Sequence, residues 1–176
     1  MSAAVLWVTL ALYLSIVPSY AAALLHTSNL ALVAAVSALA CGASCVAQVA
    51  AHHGLNGRTA QALGLVVLAA GLVLLILASP LSSLAVLLAG AVLAGAGHGI
   101  GFLYAQDELN RIAPPQRRGE VSAAFITCIY AGVATSVIAV GLLDLRVSLA
   151  TGVGIVASVL AATAVGAATW HARAAR

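Results

Sequence analysis

Residues 89–110 read AGAVLAGAGHGIGFLYAQDELN, an apolar run with glycine at positions 95, 97, 99 and 101. The four glycines form two interleaved pairs, Gly95 with Gly99 and Gly97 with Gly101. A helix turns once in roughly 3.6 residues, so the pairs stand roughly 200° apart and thin nearly opposite sides. Small residues on a membrane helix let a neighbouring backbone come close. A helix thinned on two sides needs close neighbours on both. The chain is therefore expected to pack as a bundle of membrane helices with this one inside it.

Composition agrees. Of 176 residues 64% are apolar and 6% charged, against about 25% charged in a soluble domain. So few charges cannot cover a water-facing surface, and the lipid bilayer is the expected surrounding. Arg58, Asp107, Glu108, Arg111, Arg117, Arg118, Glu120, Asp144, Arg146, Arg173 and Arg176 all fall between apolar runs or at the end. The net charge of +3 thus marks loops and gives no reason to expect nucleic acid. Cys41, Cys45 and Cys128 are not clustered as metal ligands. They read as small hydrophobes, and neither a metal nor a cofactor is expected.

Six stretches are long enough to cross a hydrocarbon core of about 30 Å: 5–25, 30–51, 61–79, 82–104, 121–143 and 147–170. The fold class expected is all-α, a single membrane domain of six transmembrane helices. Pro18 should kink the first helix, with Ser15 or Ser19 placed to meet the carbonyl it frees. That first stretch lacks the basic leader of a signal peptide, since the first arginine is Arg58. Arginine favours cytoplasmic loops. Arg58, Arg111, Arg117, Arg118, Arg173 and Arg176 would share one side and Arg146 the other. Both termini are thus expected in the cytoplasm, for a multi-pass protein of the cell inner (plasma) membrane.

His98 is the ionisable residue deep within a span, and no carboxylate lies in one. Intramembrane ionisable groups face cavities or partners. His98 therefore either lines a substrate pathway or bonds to a neighbouring helix through the space its glycines leave. Tyr13, Thr127 and Tyr130 are further pathway candidates, and Thr127 and Tyr130 share a face. Asp107, Glu108, Arg111, Arg117 and Arg118, with Arg58 in the preceding arginine-bearing loop, could form an ion-pair cluster that gates the cytoplasmic side; the alternative is a solvated loop. Gly42-Ala-Ser-Cys45 invites comparison with the serine motif of rhomboid proteases, but fails at Cys45 and sits on the wrong helix. No catalytic set emerges, and an enzyme is not expected.

Three segments in order resemble the C-terminal six-helix half of a major facilitator superfamily transporter. The first is Gly54-Leu-Asn-Gly-Arg58, similar to that family's glycine- and arginine-bearing loop, with Leu55 or Asn56 where its acidic residue stands. The second is the Gly95–Gly101 helix followed by Asn110-Arg-Ile-Ala-Pro-Pro-Gln-Arg-Arg-Gly119. The third is Tyr130-Ala-Gly132 with the later Gly141, and Ser136 where a proline is frequent. The likeness is to the bacterial drug- and sugar-efflux branch. It implies secondary active transport of a small solute by alternating access between two six-helix bundles. With six helices here, a second bundle is the expected partner, whether a separate half or another copy. A non-transporting interaction protein or an inactive truncated remnant is the competing expectation.

The topology is checked by accessibility of cysteines, or by reporter fusions, at His26, Arg58, Pro80, Pro115, Arg146 and Arg176. Arg58, Pro115 and Arg176 are expected on one face and the other three on the opposite face. Arg58 and Arg176 on opposite faces would rule it out.

Overall fold

Helices in this chain begin and end where the sequence supplies a cap or removes a donor. The computed structural model describes residues 2–51 and 57–174, apart from the side chains of Arg58 and Ala174. Expectations for the loop 52–56, the Arg58 side chain and Arg176 lie outside the described residues. Helices α1 (Ser2–Ser15) and α2 (Val17–Leu25) meet at Ile16 with a bend of 47°. Pro18 lacks an N–H and its ring crowds the Leu14 carbonyl four residues back. The neighbouring ladder survives: the Ile16 N–H donates to the Leu12 carbonyl and the Tyr20 N–H to that of Ile16, both at 3.0 Å. The Ser15 hydroxyl does not meet the freed carbonyl as expected, but donates to the Ala11 carbonyl at 2.7 Å.

Helix α3 (Leu30–Ala51) starts at Asn29, whose Oδ1 accepts from the Ala31 and Leu32 N–H groups at 3.1 and 3.2 Å. This capping meets donors that the first helical turn leaves open. Helix α4 (Gly57–Ala78) stops just before Ser79-Pro80. Ser83 caps α5 (Leu84–Ile112), accepting from the Val86 N–H at 3.4 Å. A short 3-10 turn, Pro115–Arg117, leads into α6 (Arg118–Asp144), and α7 is Leu149–Ala174.

Several helices run past the limits hydropathy suggests, α7 among them, to Ala174 instead of 170. Helix α5 ends at Ile112 instead of 104, and α4 starts at Gly57 instead of 61. Charge ends an apolar run but not a helix. Gln, Glu, Leu and Arg are good helix formers, and the first obstacle beyond Tyr104 is Pro114, which disfavours helix at Ala113. Five helices are long and apolar enough to cross a membrane, and the bent α1–α2 pair makes a sixth span. With no strand among the described residues, the protein is an all-α membrane protein with six spans when the bent pair counts as one.

Helix α5 is the hub, packing against α4, α3 and α1. A Cβ added at Gly95 would strike the Ala40 carbonyl of α3, and one at Gly99 the Ser44 carbonyl of the same helix. A Cβ at Gly97 would strike the Leu68 amide and the Gly64 carbonyl of α4. Gly101 lies under the Leu6 side chain of α1 while its backbone meets Gly64. The two glycine pairs thus serve opposite neighbours, as their angular separation requires. Behind α5, α4 presents a fully buried stripe of Leu65, Leu68, Leu72 and Leu75, and Ala157, Leu160, Ala164 and Ala168 of α7 belong to the same core. Helix α6 stands apart. Only 11% of its apolar window is buried, against 50% for α5, and Ile126, Tyr130, Ile138 and Leu142 are exposed.

Gly97→Leu and Gly99→Leu are each expected to abolish the folded bundle, because the obstructing atoms are backbone and cannot turn aside. Gly99→Ala should cost about 1–3 kcal/mol, as overpacking does. Gly141→Ala meets nothing within 4 Å and should leave stability unchanged or slightly raised. Thermal melting of far-UV ellipticity and size-exclusion profiles in detergent read all four. Wild-type yields of folded protein for both leucine variants would contradict the packing.

Candidate functional site

The face of α5 between its two glycine contacts carries His98 and, one turn on, Phe102. Helical spacing stacks their rings at 5.6 Å with planes 11° apart. From α3, thinned against α5 at Ser44, the Ser44 Oγ lies 2.9 Å from His98 Nδ1. Gln48, a turn further along α3, donates from Nε2 to the same Oγ at 3.3 Å. A serine that accepts from Gln48 and donates to Nδ1 satisfies all three groups, and it leaves the imidazole hydrogen on Nε2. His98 is 3% exposed, and its Nε2 has no partner among the described residues. Of the two readings open from sequence, the bond to a neighbouring helix is made. One ring nitrogen is still uncommitted.

Helix α1 closes the cluster with Trp7. Its ring meets His98 edge-on at 5.8 Å and Phe102 edge-on at 5.4 Å. Tyr130 of α6 lies 6.4 Å from Trp7 with planes tilted by 50°. Edge-to-face arrangements of this kind are favourable for aromatic rings. Trp7 Nε1 and Gln106 Oε1 are also buried without a partner among the described residues. The assembly is a wall of α1, α5 and α6 in which hydrogen-bonding groups stand idle beside aromatic faces.

The four pathway candidates divide. His98 and Tyr130 come together through Trp7. Tyr13 is buried in the hydrophobic core, with its hydroxyl unpartnered among the described residues. Thr127 is exposed and donates to the Ala123 carbonyl of its own helix at 2.9 Å. Trp7 and Phe102 were not foreseen. The spacing of His98 and Phe102 by four residues was the available signal for one, while a lone tryptophan on an apolar helix reads as an interfacial anchor.

At the arginine-bearing end, a polar cavity of about 380 Å³ is lined by Gln61, Tyr104, Asp107, Glu108, Arg111 and His171, with Gly57 at its edge. Three of the gate candidates meet here because α5 continues two turns beyond its apolar run. The Arg111 guanidinium holds Glu108 by two contacts, at 2.8 and 2.7 Å. That pair lies within one helix turn and is exposed. Arg117 and Arg118 are exposed and form no ion pair among the described residues. The Tyr104 hydroxyl donates to the Ala51 carbonyl at 3.0 Å, and Ser2 and His171 join the start of α1 to the end of α7 at 2.8 Å. Among the described residues no group of three metal-ligating side chains occurs.

Comparison with known proteins identifies one family. The model described as Major Facilitator Superfamily matches residues 1–137, a segment that holds α1 to α5, most of α6 and the whole His98 cluster. No curated protein and no solved structure matches the chain.

Ser44→Ala strips the partner from a buried ring nitrogen and should destabilise by about 1–3 kcal/mol. Adding His98→Phe removes the stranded group too, so the double variant is expected to recover most of that loss. Thermal unfolding in detergent reads the cycle. Simple additivity of the two losses would deny the contact.

Proposed function

The chain belongs to the Major Facilitator Superfamily, and from that membership we propose that it is the C-terminal-type half of an efflux transporter that moves a small solute by alternating access. In such transporters two six-helix bundles rock about a site near the bilayer midplane. The bacterial inner-membrane setting comes with the likeness to the efflux branch, and the arginine distribution supports both termini in the cytoplasm. The observation that carries the reading is the lopsided packing. Helices α4 and α5 bury half of their apolar windows and α3 and α7 28%, whereas α6 buries 11% and keeps Tyr130 beside the Trp7 ring. A wall of this kind fits a solute on one side and a second bundle beyond it, carried on the same protein or on another chain.

In this reading His98, Tyr130 and Trp7 contact the solute. Tyr13 and Thr127 stay as pathway candidates for the opposite conformation, in which helices turn. Asp107, Glu108 and Arg111, with Arg58 from the start of α4 and Arg117 and Arg118 beyond, form the cytoplasmic gate. Ion pairs between the two bundles would close it. The coupling gradient must act without an intramembrane carboxylate from this half, so the opposing bundle supplies any proton carrier of that type.

Transport into proteoliposomes holding the purified chain, with and without a candidate second bundle, tests the proposal. The complex is expected to transport and the chain alone to be inert. A strict monomer that transports unaided overturns the half-transporter reading. Inertness with every second bundle would favour a remnant.

A further inference from the structure

Two cavities meet at His171, near the end of α7. One is the polar space of about 380 Å³ at the arginine-bearing end. The other, of about 580 Å³ and mainly apolar, runs beside Ser2 along α7 from Thr163 past Gly166 to Trp170. His171 lines both, and its Nε2 meets the Ser2 Oγ at 2.8 Å. From Thr163 to His171 the helix rises about 12 Å, so the apolar space reaches from headgroup level into hydrocarbon. Trp170, 73% exposed, stands at its rim, where tryptophan marks the membrane interface. Two polar groups of the first cavity are uncommitted. Gln61 is only 9% exposed. Its amide makes no hydrogen bond among the described residues, yet it is not sealed off and it lines the cavity. The Asp107 carboxylate has neither ion pair nor hydrogen bond among the described residues. Arg111 gives two of its five N–H donors to Glu108.

We propose that the two cavities form one site for a phospholipid with a primary ammonium head, the head in the polar cavity and one acyl chain along α7. Each part of the lipid answers to something in the wall. The ammonium brings a positive charge and N–H donors to the Asp107 carboxylate and the Gln61 Oε1, and charge-assisted hydrogen bonds are the stronger kind. The phosphate accepts from the N–H groups that Arg111 has left. A choline head carries the same charge but has no N–H for either acceptor. An anionic glycerol head would set a phosphate beside Asp107 and Glu108 without bringing a cation, and like charges repel. A soluble amine would satisfy the polar groups and leave the apolar space unfilled. The lipid site stands apart from the transporter reading: a chain that holds the lipid and transports nothing keeps it.

The test offers the purified full chain equal amounts of dioleoylphosphatidylethanolamine, its N-methyl and N,N-dimethyl derivatives, and dioleoylphosphatidylcholine in mixed micelles. Native mass spectrometry reads which lipid stays bound. The series keeps charge and chains constant and removes N–H donors one at a time. Retention should fall stepwise along it, by about tenfold overall, the worth of one hydrogen bond to a charged group. Asp107→Asn and Gln61→Met should each reduce the preference, and together erase it. Glu120→Gln, at an exposed carboxylate outside both cavities, should leave it intact. A Cβ at Gly166 meets nothing within 4 Å, so Gly166→Leu fills the apolar space and should weaken retention without loss of fold. Soluble phosphoethanolamine at the concentration of the lipid should not displace it. Equal retention of the ethanolamine and choline lipids by the unaltered chain overturns the proposal, whether or not any variant folds. So does a preference that survives the Asp107 and Gln61 changes together, or retention that Gly166→Leu leaves untouched. Displacement by phosphoethanolamine would assign the polar cavity to a soluble amine and overturn the lipid.

Discussion

The rest of the structure depends on backbone contact along α5. Lipid tails are as apolar as leucine, so burying leucine between membrane helices yields little driving force, and close packing has to supply it. Gly95 and Gly99 bring α3 against α5 at Ala40 and Ser44, while Gly97, with Gly64 and Gly71 opposite, brings α4 against the other side. Side chains thick enough to be useful elsewhere would separate these helices. The bundle is held by what these positions lack.

That contact also sets where the aromatic wall can be. Two sides of α5 are consumed by α3 and α4, and what faces α1 and α6 is the arc carrying His98 and Phe102. Ser44 reaches His98 Nδ1 because Gly99 lets α3 approach. One set of glycines therefore closes the core and orients the imidazole. Helix α6, with no such partner, is left to meet lipid, solute or another bundle. Trp7, Phe102 and Tyr130 gather on that side, where α6 leaves α1 and α5 less tightly covered.

The sequence made the apolar spans and the central place of α5 legible, because each rests on a local rule: run length, proline, glycine spacing. His98 stood out for the same reason, as an ionisable group in a long apolar run. Its partners did not. Ser44 reads as an ordinary small residue of α3, and nothing near it in sequence names position 98. Trp7 and Gln106 lie ninety-nine residues apart (106 − 7 = 99), and only the close pass of α1 beside α5 brings both to one cavity. Asp107, Glu108 and Arg111 were legible as charges, but hydropathy ended α5 at 104. The helix carries Asp107, Glu108 and Arg111 on for two more turns, which places them around a cavity with Gln61 and His171 instead of in a loop.

The idle groups of the wall bear on how a solute could drive motion. An unsatisfied polar group in hydrocarbon costs several kcal/mol, and among the described residues Trp7 Nε1 and His98 Nε2 are two such groups on adjoining helices, with Gln106 Oε1 a further unpartnered atom at the polar end of α5. A protein with one resting structure would gain by replacing them with apolar side chains. Their retention makes sense where the groups find partners in some states and not in others. A ligand shifts a conformational equilibrium only by the difference in its affinity for the two states. On the transporter reading, hydrogen bonds withheld in this arrangement and offered in one that opens α1 from α6 would be such a difference. The backbone contacts of α5 with α3 and α4 have no slack to share in that movement. On the transporter reading proposed above, the α1 side, where the bend at Ile16 interrupts the helix that carries Trp7, is the place for a hinge.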